Sequence, residues 1–562
     1  MSVLRRRKSK LDQTVYDFTD AFIITIETTG IFETVLIPVN NNTVPLLTYN
    51  FIVDWGDGDI TDEHTMTASK VYETPGTHTI KIIGVFPTMW FASNTFTPRV
   101  KSVEQWGNNE WVTMEGMFSG CINLVINATD TPDLSNATNL RVMFSGCTNF
   151  NSNINNWNVS NIDNFGAMFF GCTNFNQPLN NWNVSSGTNF SSMFNSATSF
   201  NQPLGDWVMT SAITLVSMFS NAILFNQNIN TWNVSTVVNM SGLFLNCRAY
   251  NQPLNTWNTS NVEFMQSMFN DCHLFNQPLN TFNTSKVTQI GSMFERCFVF
   301  NQPLNTWDMS KVRNAQSMFF NCSAFNENID TWDLSLCDSF SNMFRSCTIF
   351  NRNLGSWTLK VAGSGIDLRA MFVLCPAYQG NGLEDWVFKP NSLEWTFRSC
   401  PVFNGNVSLW DVSLVDDFDS TFDSCSSFNR PLNDWDMSNA KTIYGMFSRA
   451  TIFNQPLNNW DVSLVEVIGL TFRFASAFNQ NIGSWNISSV QANNNNNILT
   501  LDNCGLDVTN YDALLNGWIN AVTVPTGFEF SALNLNYSSV GKVGRDILIN
   551  TYDWTITGDT LI

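Results

Sequence analysis

Charge, histidine and metal-binding patterns are scarce in this sequence of 562 residues. Lysine, arginine, aspartate and glutamate make up 13% of it, the net charge is −19, and there are three histidines, His64, His78 and His273. Nucleic acid is bound largely by neutralising phosphates, which needs a positive field, so the acidic balance excludes it as a default partner. One basic run stands apart, Arg5, Arg6, Arg7, Lys8 and Lys10, and reads as a solvated tail. No stretch approaches the roughly 18 consecutive apolar residues of a membrane span, and Leu11 to Asp20 lacks the apolar centre of a secretory signal. Neither a membrane span nor a signal peptide is expected. There is no glycine-rich phosphate loop, no metal-ligand spacing, and no base placed to serve a recurring nucleophile. The expectation is a protein without catalytic residues or a resident cofactor.

Aromatic residues are plentiful, with 47 Phe and 20 Trp, and they recur at a fixed interval. A Met-Phe dipeptide or close variant places Phe118, Phe144, Phe169, Phe194, Phe219, Phe244, Phe269, Phe294, Phe319, Phe344, Phe372, Phe397, Phe422, Phe447 and Phe472 at steps of 25, apart from steps of 26 after Phe118 and 28 after Phe344. Fifteen units of this kind predict a repeat solenoid. In the unit Met168 to Ser192, Trp182 and Val184 alternate around Asn183, which suits a short strand, whereas the three-residue steps Ile162, Phe165 and Met168 suit a tight helical or 3₁₀ turn. Proline in the Asn-Gln-Pro-Leu element, as at Pro178, presets the bend between them. One unit buries about eight apolar side chains at roughly 1.5–3 kcal/mol each, against an ordering cost of roughly 1–2 kcal/mol for each residue. Such a unit folds only when stacked on neighbours in a leucine-rich-repeat-like array with a parallel sheet of short strands.

Two columns of the repeat read as structural. Cysteine three residues after the ladder Phe exchanges freely with Ala197, Ala222, Ala450 and Ala475, as a small, buried, reduced site would. Neither a disulfide framework nor zinc is implied. The Asn after the second aromatic, as at Asn151, Asn176 and Asn201, reads as a turn amide serving its own and the next coil.

A third column offers a candidate site. The position after each Trp, or after Phe282, carries Asn158, Asn183, Val208, Asn233, Asn258, Asn283, Asp308, Asp333, Thr358, Val387, Asp411, Asp436, Asp461 and Asn486, and its Asn and Asp members are the candidates. Period-two alternation puts it on an open face, expected to be a ligand-binding strip unless it is simply solvated. Stacked carboxylates about 5 Å apart repel, which raises their pKa or invites a cation. Asp411, Asp436 and Asp461 are accordingly the candidates for a cationic group or Ca²⁺.

The unit MFxxCxxFNQPLNxWNVSxV resembles the BspA-like leucine-rich-repeat family of surface proteins, from about Val100 to Ser489. The last part of the chain, with Asn510-Tyr511-Asp512, Gly517-Trp518 and Trp554-Thr555-Ile556-Thr557, resembles the end cap that follows such arrays. Upstream, Phe51-Ile52-Val53-Asp54-Trp55-Gly56-Asp57-Gly58 and Pro75 to Ile82 resemble a polycystic-kidney-disease-type β-sandwich, in which Asp54, Asp57 and Asp59 are read as a turn in preference to a site. The divisions expected are a basic tail (1–15), the β-sandwich (16–98), the solenoid (99–490) and a C-terminal capping region (491–562). The resemblance implies adhesion to a protein or glycan on another surface, with display on a cell surface or outside the cell. The lack of an export signal leaves open a structural subunit of a virion or surface appendage, whose partners would be neighbouring subunits. An insertion at Gly363-Ser364-Gly365 is expected to bulge, more readily as a passive loop than as a contact site.

Overall fold

The computed structural model of the chain describes residues 15–40, 46–91, 97–361, 363, 365–491 and 498–562. The basic run at Arg5 to Lys10 and Ser364 of the insertion lie outside the described residues. The chain divides into two compact units, residues 1–227 and 228–562.

The first unit begins with alternating sequences that make antiparallel strands: β1 (Phe22–Thr28), β2 (Glu33–Ile37), β3 (Asn50–Asp54), β4 (Ile60–His64), β5 (Ala68–Tyr72) and β6 (Gly76–Val85). In β1 every second residue is buried, Phe22, Ile24, Ile26 and Thr28, as a sheet with one packed face requires. β7 (Val100–Gln105) pairs antiparallel with β1, and β8 (Val125–Ile126) pairs parallel with β7. One sheet therefore runs in the order β4-β3-β6-β1-β7-β8, and β2 pairs with β5 in a second. Through β7, the antiparallel sheet continues directly into the first coil of the repeat. The β3–β4 hairpin turns at Gly56 (φ +79°), where an added Cβ would lie 2.4 Å from the Thr79 carbonyl oxygen, so only glycine fits.

Beyond β8 the chain winds into coils that bond to one another in parallel. The Leu140, Val142, Phe144 and Gly146 amides donate to the Asn164, Gly166, Met168 and Phe170 carbonyls one coil on, at 2.9, 2.9, 2.9 and 2.6 Å. The intervening amides of Met143, Ser145 and Cys147 donate within the coil, to Leu140, Val142 and Phe144. This alternation arises because two residues per coil, Val142 (φ 49°) and Gly146 (φ 73°), adopt the left-handed conformation, which turns every other amide back toward its own carbonyls. The ladder is thereby reduced to isolated parallel bridges, Asn139 to Asn164 to Asn189 to Thr214.

The inter-coil pairing thus lies in the arc that leads into Met-Phe. The Trp-Asn-Val segment, where the alternation predicts a strand, keeps the expected burial: Trp182 and Val184 are buried and Asn183 is exposed. Among the described residues, named strands pair in that segment only at β9 (Asp333–Leu334) and β10 (Thr358–Leu359), in the second unit. Inside the coils, aromatic rings stack from rung to rung, Phe144 on Phe169 at 5.8 Å and Phe169 on Phe194 at 5.5 Å, with Phe175 against Phe169 at 4.2 Å.

The second unit repeats the same coil from Phe244 to Phe472. The extra residues after Phe344 are taken up around β11 (Ile366–Asp367) and β12 (Pro390–Ser392), which pair in parallel. Past the last Trp rung come β13 (Leu499–Thr500), α1 (Val508–Trp518), β14 (Glu529–Ser531), β15 (Asn536–Tyr537), α2 (Ser539–Tyr552), β16 (Thr555–Thr557) and β17 (Thr560–Leu561). The parallel order β13-β14-β16 continues the stacking. Asp507 caps α1 by accepting from the Asn510 amide, and α1 delivers Trp518 to the place a Trp rung would hold: its indole donates to Ile482 at 3.3 Å. Glycine lets α2 lie close to α1, since a Cβ on Gly544 would stand 2.4 Å from the Leu515 carbonyl oxygen.

Candidate recognition faces

In each ordinary coil most repeated polar groups are engaged in stacking. The Trp182 indole donates to the Ile154 carbonyl (3.0 Å), and the same relation holds for Trp207, Trp307, Trp332, Trp357, Trp435 and Trp460, each reaching back 28 residues. The Asn151 side-chain oxygen accepts from the Asn176 amide and from Gln177 Nε2, and Asn176 does the same for Asn201 and Gln202. Cysteine is buried, free, and not wholly idle: the Cys172 thiol lies 2.9 Å from the Phe144 carbonyl oxygen. Burial pushes the Cys172 and Cys272 thiols well above their usual range and Cys147 up to about 12.

Each candidate residue predicted after a Trp has a local role. The side-chain oxygens of Asn158, Asn183, Asn233, Asn258 and Asn283 accept from the amide of the Ser two residues on, at 3.0–3.2 Å. Asp308, Asp333, Asp411, Asp436, Asp461 and Asn486 do likewise, at 2.9–3.2 Å. These are Asx turns, which need one acceptor oxygen and no particular charge, and this explains why Asn and Asp interchange.

The expectation of mutual repulsion is corrected. Hydrogen bonds from Ser310 and Ser463 hold the Asp308 and Asp461 carboxyls below the usual carboxylate range, while Lys389 and then Ser413 do so for Asp411. Lys389 Nζ lies 2.7 Å from Asp411. Among the described residues no group of three or more His, Cys, Asp or Glu side chains is placed to hold a metal ion.

The strip changes character beside the insertion. Val387 takes the place of Asn or Asp and is 73% exposed, with Val361 at 61% and Leu409 at 80%. Together with the buried Trp386 and Phe388 and the Lys389–Asp411 pair they line a cleft of about 270 Å³. Phe388 is held edge-on between Trp386 and Trp410, at 5.6 and 5.1 Å.

A second face of the same unit is not anticipated by the sequence reading. It is the outer side of the inter-coil ladder, where the Trp395 amide donates to Asp419, Ser399 to Asp423, Ser420 to Tyr444 and Arg449 to Arg473. In the first unit these columns hold small residues at Gly166, Ser191, Asn195 and Ser196 beside the larger Glu115, Arg141 and Phe170. Between Asp367 and Phe474 come Arg369, Glu394, Trp395, Arg398, Asp417, Asp419, Asp423, Tyr444, Arg449 and Arg473. Trp395 (φ 57°) and Phe474 (φ 60°) occupy left-handed positions, which other coils fill with residues as different as Ser192, Val142, Arg296 and Gly146, at a cost of about 1–2 kcal/mol each. Arg369 pairs with Glu394 at 2.9 Å and Arg398 with Asp423 at 3.2 Å, and Arg398 stacks on Trp395 at 5.5 Å. Burial, followed by the neighbouring carboxylates, raises Glu394, Asp417 and Asp419 above the usual range. The sequence signal is the density of bulky and charged residues in these columns between Asp367 and Phe474. Assigning the sheet to the Trp segment hides it.

In the antiparallel sheet, Asp57 and Asp59 both pair with Lys70 (2.8 Å each), and Asp54 pairs with Lys81 (3.4 Å) while accepting from the Gly56 amide. These carboxylates brace the β3–β4 turn.

The fold defines a β-solenoid repeat protein. Residues 112–227, 209–302, 279–386 and 391–504 match the family described as Mycoplasma protein of unknown function, DUF285. The chain belongs to that family. A comparison with curated proteins finds no match.

Proposed function

We propose that this chain is a non-enzymatic binding protein of the adhesin type, related to the BspA-like surface proteins, which docks a protein or glycan of another surface on the Trp strip of its second unit. The supporting observation is the cleft of Val361, Val387 and Leu409 over Trp386 and Phe388. Val387 stands where most coils carry Asn or Asp and is joined by exposed Val361 and Leu409 in one cleft, and contiguous exposed apolar surface marks interaction sites. The insertion at Gly363 is on this reading part of the contact. The two antiparallel sheets before the coils and the lysine-braced hairpin support kinship with polycystic-kidney-disease-type domains. No helix among the described residues is long and apolar enough to cross a membrane, and on this reading display at a surface rests on other attachments.

The test is binding of the immobilised full chain to arrayed glycans and extracellular-matrix proteins. Saturable binding that falls at least tenfold in Val387→Asp and Leu409→Asp, and is unchanged in Asn183→Ala, supports the reading. Absence of saturable binding, together with copurification in fixed stoichiometry with an assembled particle, overturns it in favour of a structural subunit.

A further inference from the structure

Two residues after the ladder Cys, or after the Ala that replaces it, the second unit exposes a stripe of aliphatic side chains. Val299, Ile349, Val402 and Ile452 stand there, between 41 and 48% exposed. The coils between and after them carry Ala324, Ala377, Ser427 and Ala477 at the same position, so large and small residues alternate strictly from Val299 to Ala477. The turn that presents them uses its polar groups in stacking. The Ala324, Ser427 and Ala477 amides donate to the Phe298, Pro401 and Thr451 carbonyls of the preceding coil, at 3.2, 3.0 and 3.0 Å, and the Ser323 and Thr451 hydroxyls also donate one coil back. From Asn321 to Ser427 neither neighbour of the ladder Cys is charged in any coil. In that stretch the exposed Leu374 lines an open cleft of about 510 Å³ with Thr348, Pro376 and Pro401.

We propose that a second copy of the chain docks antiparallel on this stripe, with Val299, Ile349, Val402 and Ile452 of each copy seated over Ala477, Ser427, Ala377 and Ala324 of the other. Spacing selects the occupant. At roughly 4.8 Å per coil the large residues stand about 9.6 Å apart. A strand repeats one face about every 6.7 Å and a helix about every 5.4 Å, so either drifts out of step with four such knobs, whereas a second copy of the stripe keeps step. A two-fold axis along the direction of coil stacking would set large residues against large. A two-fold axis across it sets each large residue over a small one, as interdigitating layers require, and this is the self-complementary contact of an isologous dimer. The axis falls between the Ala377 and Val402 coils, where Leu374, Pro376, Ser399 and Pro401 flank the stripe without charge. The contact is about 34 Å long at that rise. With the columns beside the Cys it covers on the order of 800 Å² per copy, the size of a standard stable interface. The inference is independent of the Val387 cleft and of the adhesin reading.

Sedimentation velocity on the full chain tests it. The unmodified protein is expected to dimerise at concentrations up to roughly 100 µM, a weak to moderate association. Ile349→Asp and Val402→Asp are each expected to weaken self-association at least tenfold, because each buries a charge in an apolar contact. Ala377 of one copy faces Val402 of the other, which allows a swap. Ala377→Val alone sets valine against valine and Val402→Ala alone leaves a gap, so each should weaken the dimer severalfold. The two changes together exchange knob and hole and should restore the dimer to within about twofold of the unmodified protein. Valine and alanine each already occupy this position in other coils, so the swap covers the case in which an aspartate variant fails to fold. A monomer throughout that range, a dimer indifferent to the aspartate variants, or a swap that does not recover association would overturn the proposal.

Discussion

The Trp182 indole nitrogen and the Ile154 carbonyl oxygen, 28 residues apart in sequence, are 3.0 Å apart in space, and that oxygen also accepts the Trp157 amide of its own coil. Each Trp rung thus closes its own turn through the backbone and fastens the preceding one through the side chain. Trp182→Phe removes the second bond alone and should cost about 0.5–1.5 kcal/mol, whereas Trp182→Ala also leaves a cavity and should cost about 3–5 kcal/mol. Phe282 already occupies one Trp position, so Phe282→Trp should gain about 0.5–1 kcal/mol by donating to Leu254. Chemical denaturation of the three variants checks the order.

All thirteen cysteines are free and buried, and burial holds the thiols of Cys172, Cys272 and Cys297 protonated at physiological pH. No thiol should react with a thiol-specific reagent in the native protein at pH 8, and all thirteen should react in denaturant. A thiol that reacts rapidly in the native state would place its coil open to water.

Carboxylates on the two faces respond oppositely to pH. Asp461 has a folded pKa below its unfolded value, so its contribution is present above the usual carboxylate range and lost as pH falls. Asp461→Asn keeps the acceptor and should be nearly neutral; Asp461→Ala should destabilise at pH 7. Asp419 has a folded pKa above its unfolded value, so its carboxylate weakens the fold as pH rises through that range. Asp419→Asn should raise the denaturation midpoint at pH 7 and leave it unchanged near pH 3.5. Equal effects at the two pH values would contradict this.

At the C-terminal end Arg545 and Asp559 form a two-pronged pair, Nε to Oδ2 and one terminal nitrogen to Oδ1, both 2.8 Å, and Tyr511 also donates to Asp559. The Asp559 side chain is 1% exposed. Asp559→Ala should therefore cost about 3–5 kcal/mol by stranding the guanidinium, measured as a loss of thermal stability in the full chain.

The coil itself was legible because period and burial suffice to define it: a Phe every 25 residues, Trp and Val flanking an exposed Asn, and an exchange of Cys for Ala. Where the backbone bonds would lie was not legible. Left-handed residues at Val142, Ala167 and Ser192 share no residue type, and it is they that send alternate amides to the next coil. The exposure of Asn183 between buried Trp182 and Val184 was legible, but the interchange of acid and amide at this position reflects a turn: Asp308 and Asn158 both accept from a Ser amide. The Val361–Leu409 cleft joins residues 48 apart in sequence, and the charged columns of the ladder face become columns only once the ladder is located.

Hydrogen–deuterium exchange of the native chain, resolved by peptide, tests most directly whether the coils are held together through the arc leading into Met-Phe. The bonds described predict that amides of Phe165, Ala167, Phe169 and Gly171, and their equivalents in each coil, exchange slowest. Slowest exchange in the Trp182 to Val184 segment, with free exchange from Phe165 to Gly171, would contradict the account.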